Sequence, residues 1–277
     1  MKKLIKEIIQ LCSNFIRNIF NLMPNYILAV LLESFSFYRK IDFSDRGILI
    51  RFSNKNSLVR LESCKKEKGT VEWIKNFSKD KKIVFYDIGA NVGSYSLVAA
   101  HYVCNDSKIY SFEPVSSNFT ELCENIHINN FNNKITPFNI ALSNNDGIDD
   151  FLLNQYNSGS AMHIGLDNRL TSLQNKSDLV SNKFYLNKLK LDTFINNKNF
   201  LFPNYIKIDV DGHEFEILKG AVKTLKNSNC RSIILEIDEN DEITKEIDDL
   251  LVSLNFKLAN KFAHGKGIFD VVYMKKI

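Results

Sequence analysis

The sequence predicts an α/β fold, a doubly wound and mostly parallel sheet with helices on both faces, preceded by a helical extension. Three observations predict it. From Lys81 onward, short β-branched and apolar runs alternate with stretches of helical periodicity. The first of these runs sits in F-Y-D-I-G-A-N-V-G-S-Y-S-L, Phe85 to Leu97, where a strand ends in Asp87, glycines follow at 89 and 93, and a helix begins near Ser94. A later run, Tyr205 to Val210, carries Asp209 near its end and is followed by Asp211, with Gly212 permitting a turn into another helix. Glycines at such strand–turn–helix junctions let the backbone approach a ligand closely.

Taken in order, residues 1–40 form an amphipathic helical extension. Leu4, Ile5, Ile8, Leu11, Phe15, Ile16, Ile19 and Phe20 recur at helical spacing, with Lys2, Lys3, Lys6, Asn14 and Arg17 between them. The apolar run Tyr26–Leu32 falls far short of the roughly 20 residues that span a bilayer. No apolar core precedes a small-residue cleavage site, which disfavours a signal peptide. Two readings remain for this segment: a helix packing on the domain or on a dimer mate, or a basic amphipathic helix lying on a membrane surface. Residues 41–80 are a lead-in with strands at Ile48–Phe52 and Leu58–Leu61 and a helix carrying Val71, Trp73, Ile74 and Phe77. Residues 81–277 form the main domain. Its strands are expected at Ile83–Asp87, Lys108–Phe112, Ile135–Ala141, Tyr205–Val210, Ser232–Ile237, Phe256–Ala259 and Phe269–Met274. Helices are expected near Ser94–Tyr102, Ser116–Asn129, His213–Leu225 and Asp241–Ser253. The rhythm breaks at about 147–190, a polar insertion placed on the ligand side of the sheet.

Composition narrows the function classes. A formal charge of +4 from 36 basic and 32 acidic residues gives no reason to expect nucleic acid, which calls for a concentrated basic face. The five cysteines are scattered without a C-x-x-C, which argues against a zinc site or disulfide framework and for reduced thiols in the cytoplasm.

Ligands on doubly wound sheets bind outside the carboxyl ends of the strands. The D-x-G-x-x-x-G spacing after the first strand departs from the G-x-G-x-x-G that cradles a dinucleotide pyrophosphate, with Asn91 where the middle glycine would stand. It resembles motif I of methyltransferases that use S-adenosylmethionine (SAM), a cofactor with an ammonium and a carboxylate but no phosphate. Asp87 can face the ammonium, and the loop Gly89, Ala90, Asn91 and Gly93 with the following helix N-terminus can face the carboxylate. Glu113, ending the second strand before Pro114, can accept hydrogen bonds from both ribose hydroxyls. Ala141 and Leu142 can pack on adenine, with Ser143 or a backbone amide bonding its polar edge.

With Y-I-K-I-D-V-D-G-H-E-F-E-I-L-K-G-A (Tyr205 to Ala221) the resemblance becomes specific. The pair D-I-G-A-N-V-G and I-K-I-D-V-D-G-H-E-F-E-I-L-K-G-A is similar to the FkbM family of SAM-dependent methyltransferases, as are the intervening F-E-P, A-L-S and L-D-T-F. The likeness runs from about Val71 to Ile237, with Asp211 where the family more often has Glu. It implies a class I, Rossmann-like sheet of seven strands with the final one antiparallel, and O-methyl transfer to a hydroxyl of a sugar, glycolipid or glycan-like molecule.

Such a transfer needs the acceptor oxygen aligned with the methyl carbon, and a base within about 3 Å to take the hydroxyl proton. His213, Asp209 and Asp211 are the candidates at the right edge of the sheet. Glu214 is expected to steady the first helical turn or bond a backbone amide. Asp209, Asp211, Glu236 and Asp238 could instead hold a divalent cation such as Mg²⁺, although no metal is the preferred reading. Asp209 then lines the methionine end of the cofactor. Weaker signals are the His264–Gly265–Lys266–Gly267 loop and the polar Tyr156, Asn157, Ser158 and Ser160 in the insertion. Competing readings are an RNA or protein N-methyltransferase, which the absence of N-P-P-Y after the fourth strand weakens, a dinucleotide oxidoreductase, which the glycine spacing disfavours, and a non-catalytic scaffold.

Overall fold

The computed structural model describes residues 2–34, 37–43, 47–153, 164–165, 182–198, 200–210, 212–263 and 267–276. The chain divides into two units, 1–38 and 39–277. In the first, α1 (Lys2–Leu22) and α2 (Asn25–Ser34) are separated at Pro24. Proline has no N–H to contribute to a helix interior but fits at a helix start, so the break falls there.

The short strands β1 (Tyr38–Lys40), which spans the division, and β2 (Leu49–Arg51) come next. Three helices follow: α3 (Ser57–Leu61), α4 (Ser63–Lys66) and α5 (Lys68–Lys75), the last continued by a 3₁₀ turn over Asn76–Lys79. The strand expected at Leu58–Leu61 is therefore helical. Its β-branched content is overruled by the Ser57 hydroxyl, which accepts from the Ser53 and Asn54 amides and nucleates a turn. Trp73 and Phe77 are buried as their periodicity indicates, and the Trp73 indole N–H bonds the Ser232 hydroxyl at 3.0 Å.

The main sheet comprises β3 (Val84–Ile88), β4 (Lys108–Phe112), β5 (Ile135–Phe138), β10 (Tyr205–Ile208), β11 (Ser232–Asp238), β12 (Phe256–Ala263) and β13 (Ile268–Lys275). Its spatial order is β12-β13-β11-β10-β3-β4-β5. β10, β11, β3, β4 and β5 pair in parallel, whereas β13 runs antiparallel to both neighbours. This is the mostly parallel, seven-stranded, doubly wound sheet that the sequence predicts. The helices are α6 (Ser94–Tyr102), α7 (Ser116–Ile128), α8 (Leu191–Lys198), α9 (Glu214–Gly220), α10 (Val222–Lys226) and α11 (Ile243–Ser253). Two apolar cores result, one per face: Phe85 and Ile109 join Ile74, Phe77 and Val98, while Tyr86, Tyr110 and Phe112 join Phe194 and Ile217. Alternate residues of one strand thus feed opposite cores.

The break in rhythm is a second sheet. β6 (Ala141–Leu142), β7 (Gly147–Leu153), β8 (Ile164–Gly165) and β9 (Asn182–Leu189) form it in the order β6-β9-β7-β8. The third main strand stops at Phe138, and Ala141–Leu142 pair with Lys188–Leu189 of the second sheet instead of prolonging the main one. Tyr156, Asn157, Ser158, Ser160, His163, Asp211 and His264–Lys266 lie outside the described residues.

Candidate active site

β3 and β10 lie side by side at the point where strand order reverses, so their carboxyl ends open a crevice. Asp87 is fully buried there. Its Oδ2 accepts from the Ser96 hydroxyl, which also meets Ser111 Oγ at 2.7 Å. Its Oδ1 is buried without a hydrogen-bond partner among the described residues. Burial pushes the Asp87 carboxyl up, opposed by Lys207 and Ser96. An unpartnered buried carboxylate oxygen is costly, and it suits a cation such as an ammonium.

The loop after β3 is shaped by two tight approaches. Gly89 has φ +79°, and a Cβ there would stand 1.8 Å from the Asp209 carbonyl oxygen. Gly93 has φ +93° at the head of α6, where a Cβ would meet Leu122 at 2.5 Å. The Gly89 and Ala90 amides both donate to the Phe112 carbonyl at 3.0 Å, tying the loop to the end of β4. Asn91 takes φ 51°, and its side-chain oxygen accepts from the Val92 amide, the local bond that makes Asn tolerable in this region.

Glu113 is buried beside this loop. Its oxygens accept from the Asn91 amide at 2.8 Å, the Val115 amide at 2.9 Å and Asn118 Nδ2 at 3.3 Å. Burial raises its carboxyl to about 7, against the pull of these donors. The three bonds fix its position and leave lone pairs for a diol. Pro114 and Glu113 both present carbonyls to the Asn139 amide group, at 3.0 and 2.8 Å. Ala141 and Leu142 sit in a strand of the second sheet, not at the end of the third main strand where the sequence puts them, and the Ser143 amide is taken by the Leu189 carbonyl at 2.9 Å. The physical reason is β9, whose edge offers these residues a ladder.

Lys207 is one of two residues that sequence reasoning missed. It lies on β10 directly opposite Asp87, is 3% exposed, and its ammonium bonds Asp209 Oδ2 at 2.6 Å. The ammonium also lies 4.8 Å from the centre of the Tyr95 ring. Burial alone would lower the Lys207 ammonium, but Asp209, Glu67 and Asp87 around it drive it up and keep it charged. Burial pushes Asp209 up as well, and Lys207 overrides it, holding that carboxyl below the usual range. A signal existed: in I-K-I-D, residues 207 and 209 face the same side of a strand, and a lysine inside an apolar run needs a counter-charge.

Glu67 was also missed, because K-K-E-K-G reads as a solvated charge run. It is 5% exposed, and its carboxyl is raised to about 7 by burial, then by Asp209, with Lys207 opposing and Asp270 adding. His213 precedes α9, and its Nε2 is buried without a hydrogen-bond partner among the described residues. Glu214 turns back so that Oε1 accepts from the Val210 and Gly212 amides, both at 3.2 Å, as a capping residue should. Of the acids considered for a cation, Asp238 is engaged by the Asn240 amide and side chain at 2.9 and 3.0 Å. Among the described residues no group of three or more His, Cys, Asp or Glu is gathered as for a metal.

Comparison with known proteins bears on the family and the fold. Residues 87–258 match the methyltransferase FkbM domain. A hexuronic acid methyltransferase, AglP of Haloferax volcanii, is 22% identical over 181 residues, 64% of this chain. The alignment spans just under two thirds of that relative, 66% of its length. Among solved structures, the Escherichia coli protein yhhF, described as a methyltransferase, superposes with a TM-score of 0.50 at 11% identity, covering 87% of this chain and 99% of that one. A SAM-dependent methyltransferase from Aquifex aeolicus gives 0.46 at 14% identity over 79% and 96% of the two chains. At these identities the structural likeness concerns the fold alone, which is that of class I methyltransferases. The family match covers well over half of the chain, and the protein belongs to the FkbM family of methyltransferases.

Proposed function

We propose that the protein is a SAM-dependent O-methyltransferase acting on an oxygen of a sugar, glycolipid or glycan-like acceptor. The observation that carries the cofactor half is the unpartnered Asp87 Oδ1 beside a glycine cradle and the buried Glu113. Asp87 would receive the ammonium, the Gly89–Gly93 loop would face the carboxylate, and Glu113 would take the ribose hydroxyls. The bound cofactor supplies an electrophilic methyl group. The sugar half is supported by the hexuronic acid specificity in the name of the Haloferax relative.

The chain's own work is to place the acceptor oxygen and move its proton. Asp209 is held as an anion by Lys207, which suits it to positioning better than to proton uptake. Glu67 is a buried carboxylate near neutrality on the same side of the sheet, where a general base operating at neutral pH works best. His213 Nε2, also buried and unpartnered, is the second group able to accept a hydrogen bond from an acceptor hydroxyl. Thermal unfolding with S-adenosylhomocysteine tests the cofactor half: at a hundred times its dissociation constant the compound adds about 2.7 kcal/mol to stability, and NAD⁺ adds nothing. Label transfer from radioactive SAM to a saccharide panel tests the rest, and label found only in RNA or protein would overturn the sugar reading.

A further inference from the structure

Beside Glu67 the structure holds a cavity of ≈ 760 Å³, walled by the α4–α5 segment and by β12 and β13 at the sheet edge. Its charged lining is Lys65, Lys66, Lys68 and Lys261, with Glu67 and Asp270. The two kinds of charge are segregated by depth. Lys65, Lys66 and Lys68 are exposed, whereas Glu67 and Asp270 are 5% and 4% exposed. Lys261 is paired with Glu239 at 2.7 Å, and Lys66 stands 3.7 Å from Glu67. Lys65 and Lys68 have no carboxylate partner among the described residues, so two cations face the opening uncompensated.

The lining also includes an aromatic ring. Phe262 lies against the backbone of Gly69, where a Cβ would come within 2.3 Å of the ring. Only glycine leaves room for the ring in that position, and the ring lines the cavity. A half-buried aromatic face, buried carboxylates to accept hydroxyl hydrogen bonds and cations at the mouth together describe a polyhydroxylated ligand bearing negative charge. Glu67 also joins this cavity to the cofactor side. It interacts with Lys207, Asp209 and Tyr95, and Tyr95 stands in the first turn after Gly93.

We propose that this cavity is the acceptor subsite and that the acceptor is an anionic saccharide, its carboxylate or phosphate held by Lys65 and Lys68 and a ring face by Phe262. The inference rests on the methyl-transfer reading and narrows its acceptor class. A cationic mouth also predicts that binding weakens as ionic strength rises.

The test is equilibrium binding to the full chain with S-adenosylhomocysteine present, using a glucuronate-bearing saccharide, a sugar phosphate and an uncharged saccharide of equal size. The wild type is expected to bind at least one anionic probe tenfold or more tighter than the uncharged one, and the better of the two identifies the anion. The double variant Lys65→Ala, Lys68→Ala is expected to lose that preference while its thermal shift with S-adenosylhomocysteine stays unchanged. The variant Gly69→Ala, which displaces Phe262, should weaken all three probes. Equal binding of charged and uncharged probes by the wild type, or a double variant that keeps the preference, overturns the proposal. Absence of the thermal shift in the wild type would instead overturn the methyl-transfer reading, so the two failures are distinguishable.

Discussion

A single buried cation organises the carboxylates at the crevice. Lys207 meets Asp209 at 2.6 Å and is surrounded by the fields of Glu67 and Asp87. Replacing it with Met keeps the stem and removes the charge that faces the buried Asp87 and Glu67 and the half-buried Asp209. Breaking a buried pair in this way costs about 3–5 kcal/mol, and urea unfolding of Lys207→Met is expected to show a loss of that size. A loss of a few tenths would mean that solvent already screens the group. The acids that remain near neutrality make a second prediction. Glu67, Glu113 and Glu214 are each raised by burial from 4.5 to about 7. Between those two values the folded chain holds protons that the unfolded chain has released, so stability falls as pH rises through that window, by at most about 1.4 kcal/mol per pH unit for each group. Melting temperatures of the ligand-free protein should therefore decline from pH 5 to pH 7 and level off above it. Glu67→Gln should flatten part of the slope, and a profile that rises over this range would contradict the assignment.

Among the elements, those with a strong period and sharp punctuation were legible in the sequence. The acid-tipped strand, the two glycines and the helix from Ser94 stand where the pattern puts them, because each position has one physical solution. Glu113 was legible for the same reason, as an acid closing a buried strand. Short elements set by tertiary pairing were not. Ser57–Leu61 became a helix through a hydroxyl contact, and Ala141–Leu142 left the main sheet for a partner, β9, nearly fifty residues on. Glu67 was invisible because nothing local distinguishes a buried glutamate from its exposed lysine neighbours. The helix expected over His213–Leu225 is broken between α9 and α10, and Gly220 stands at the break. A Cβ on Gly220 would lie 1.9 Å from the Ser143 carbonyl oxygen, so the glycine is what lets α9 meet the end of β6. Gly220→Ala must push these elements apart. We expect a loss of about 1–3 kcal/mol in urea unfolding, whereas a neutral result would mean that the second sheet is free to shift.

At the scale of the whole molecule, the unit 1–38 poses a separate question, since its chemistry differs from that of the enzyme domain. Helix α1 exposes Leu4, Ile8, Leu11, Phe15 and Leu22. Its charged residues are Lys2, Lys3, Lys6 and Arg17 against a single acid, Glu7. We propose that this exposed apolar area is a contact surface, and the excess of basic residues favours an anionic partner. No helix among the described residues is long and apolar enough to cross a membrane, so any membrane engagement by α1 is with its surface. Each basic residue near an anionic bilayer contributes about 1 kcal/mol, an attraction that salt weakens. The full chain is therefore expected to sediment with vesicles containing phosphatidylserine, less so as salt is raised, and not with neutral vesicles. Deleting residues 2–24 should abolish sedimentation while leaving the thermal shift with S-adenosylhomocysteine intact. A full chain that ignores both vesicles but runs as a dimer by light scattering, with the deletion monomeric, would assign the stripe to a second copy of the chain. An anionic saccharide acceptor carried on a lipid would give surface docking a purpose, because it confines enzyme and acceptor to one plane. That link predicts a faster turnover of a vesicle-borne acceptor than of the same saccharide free in solution, and the advantage should vanish in the deletion variant.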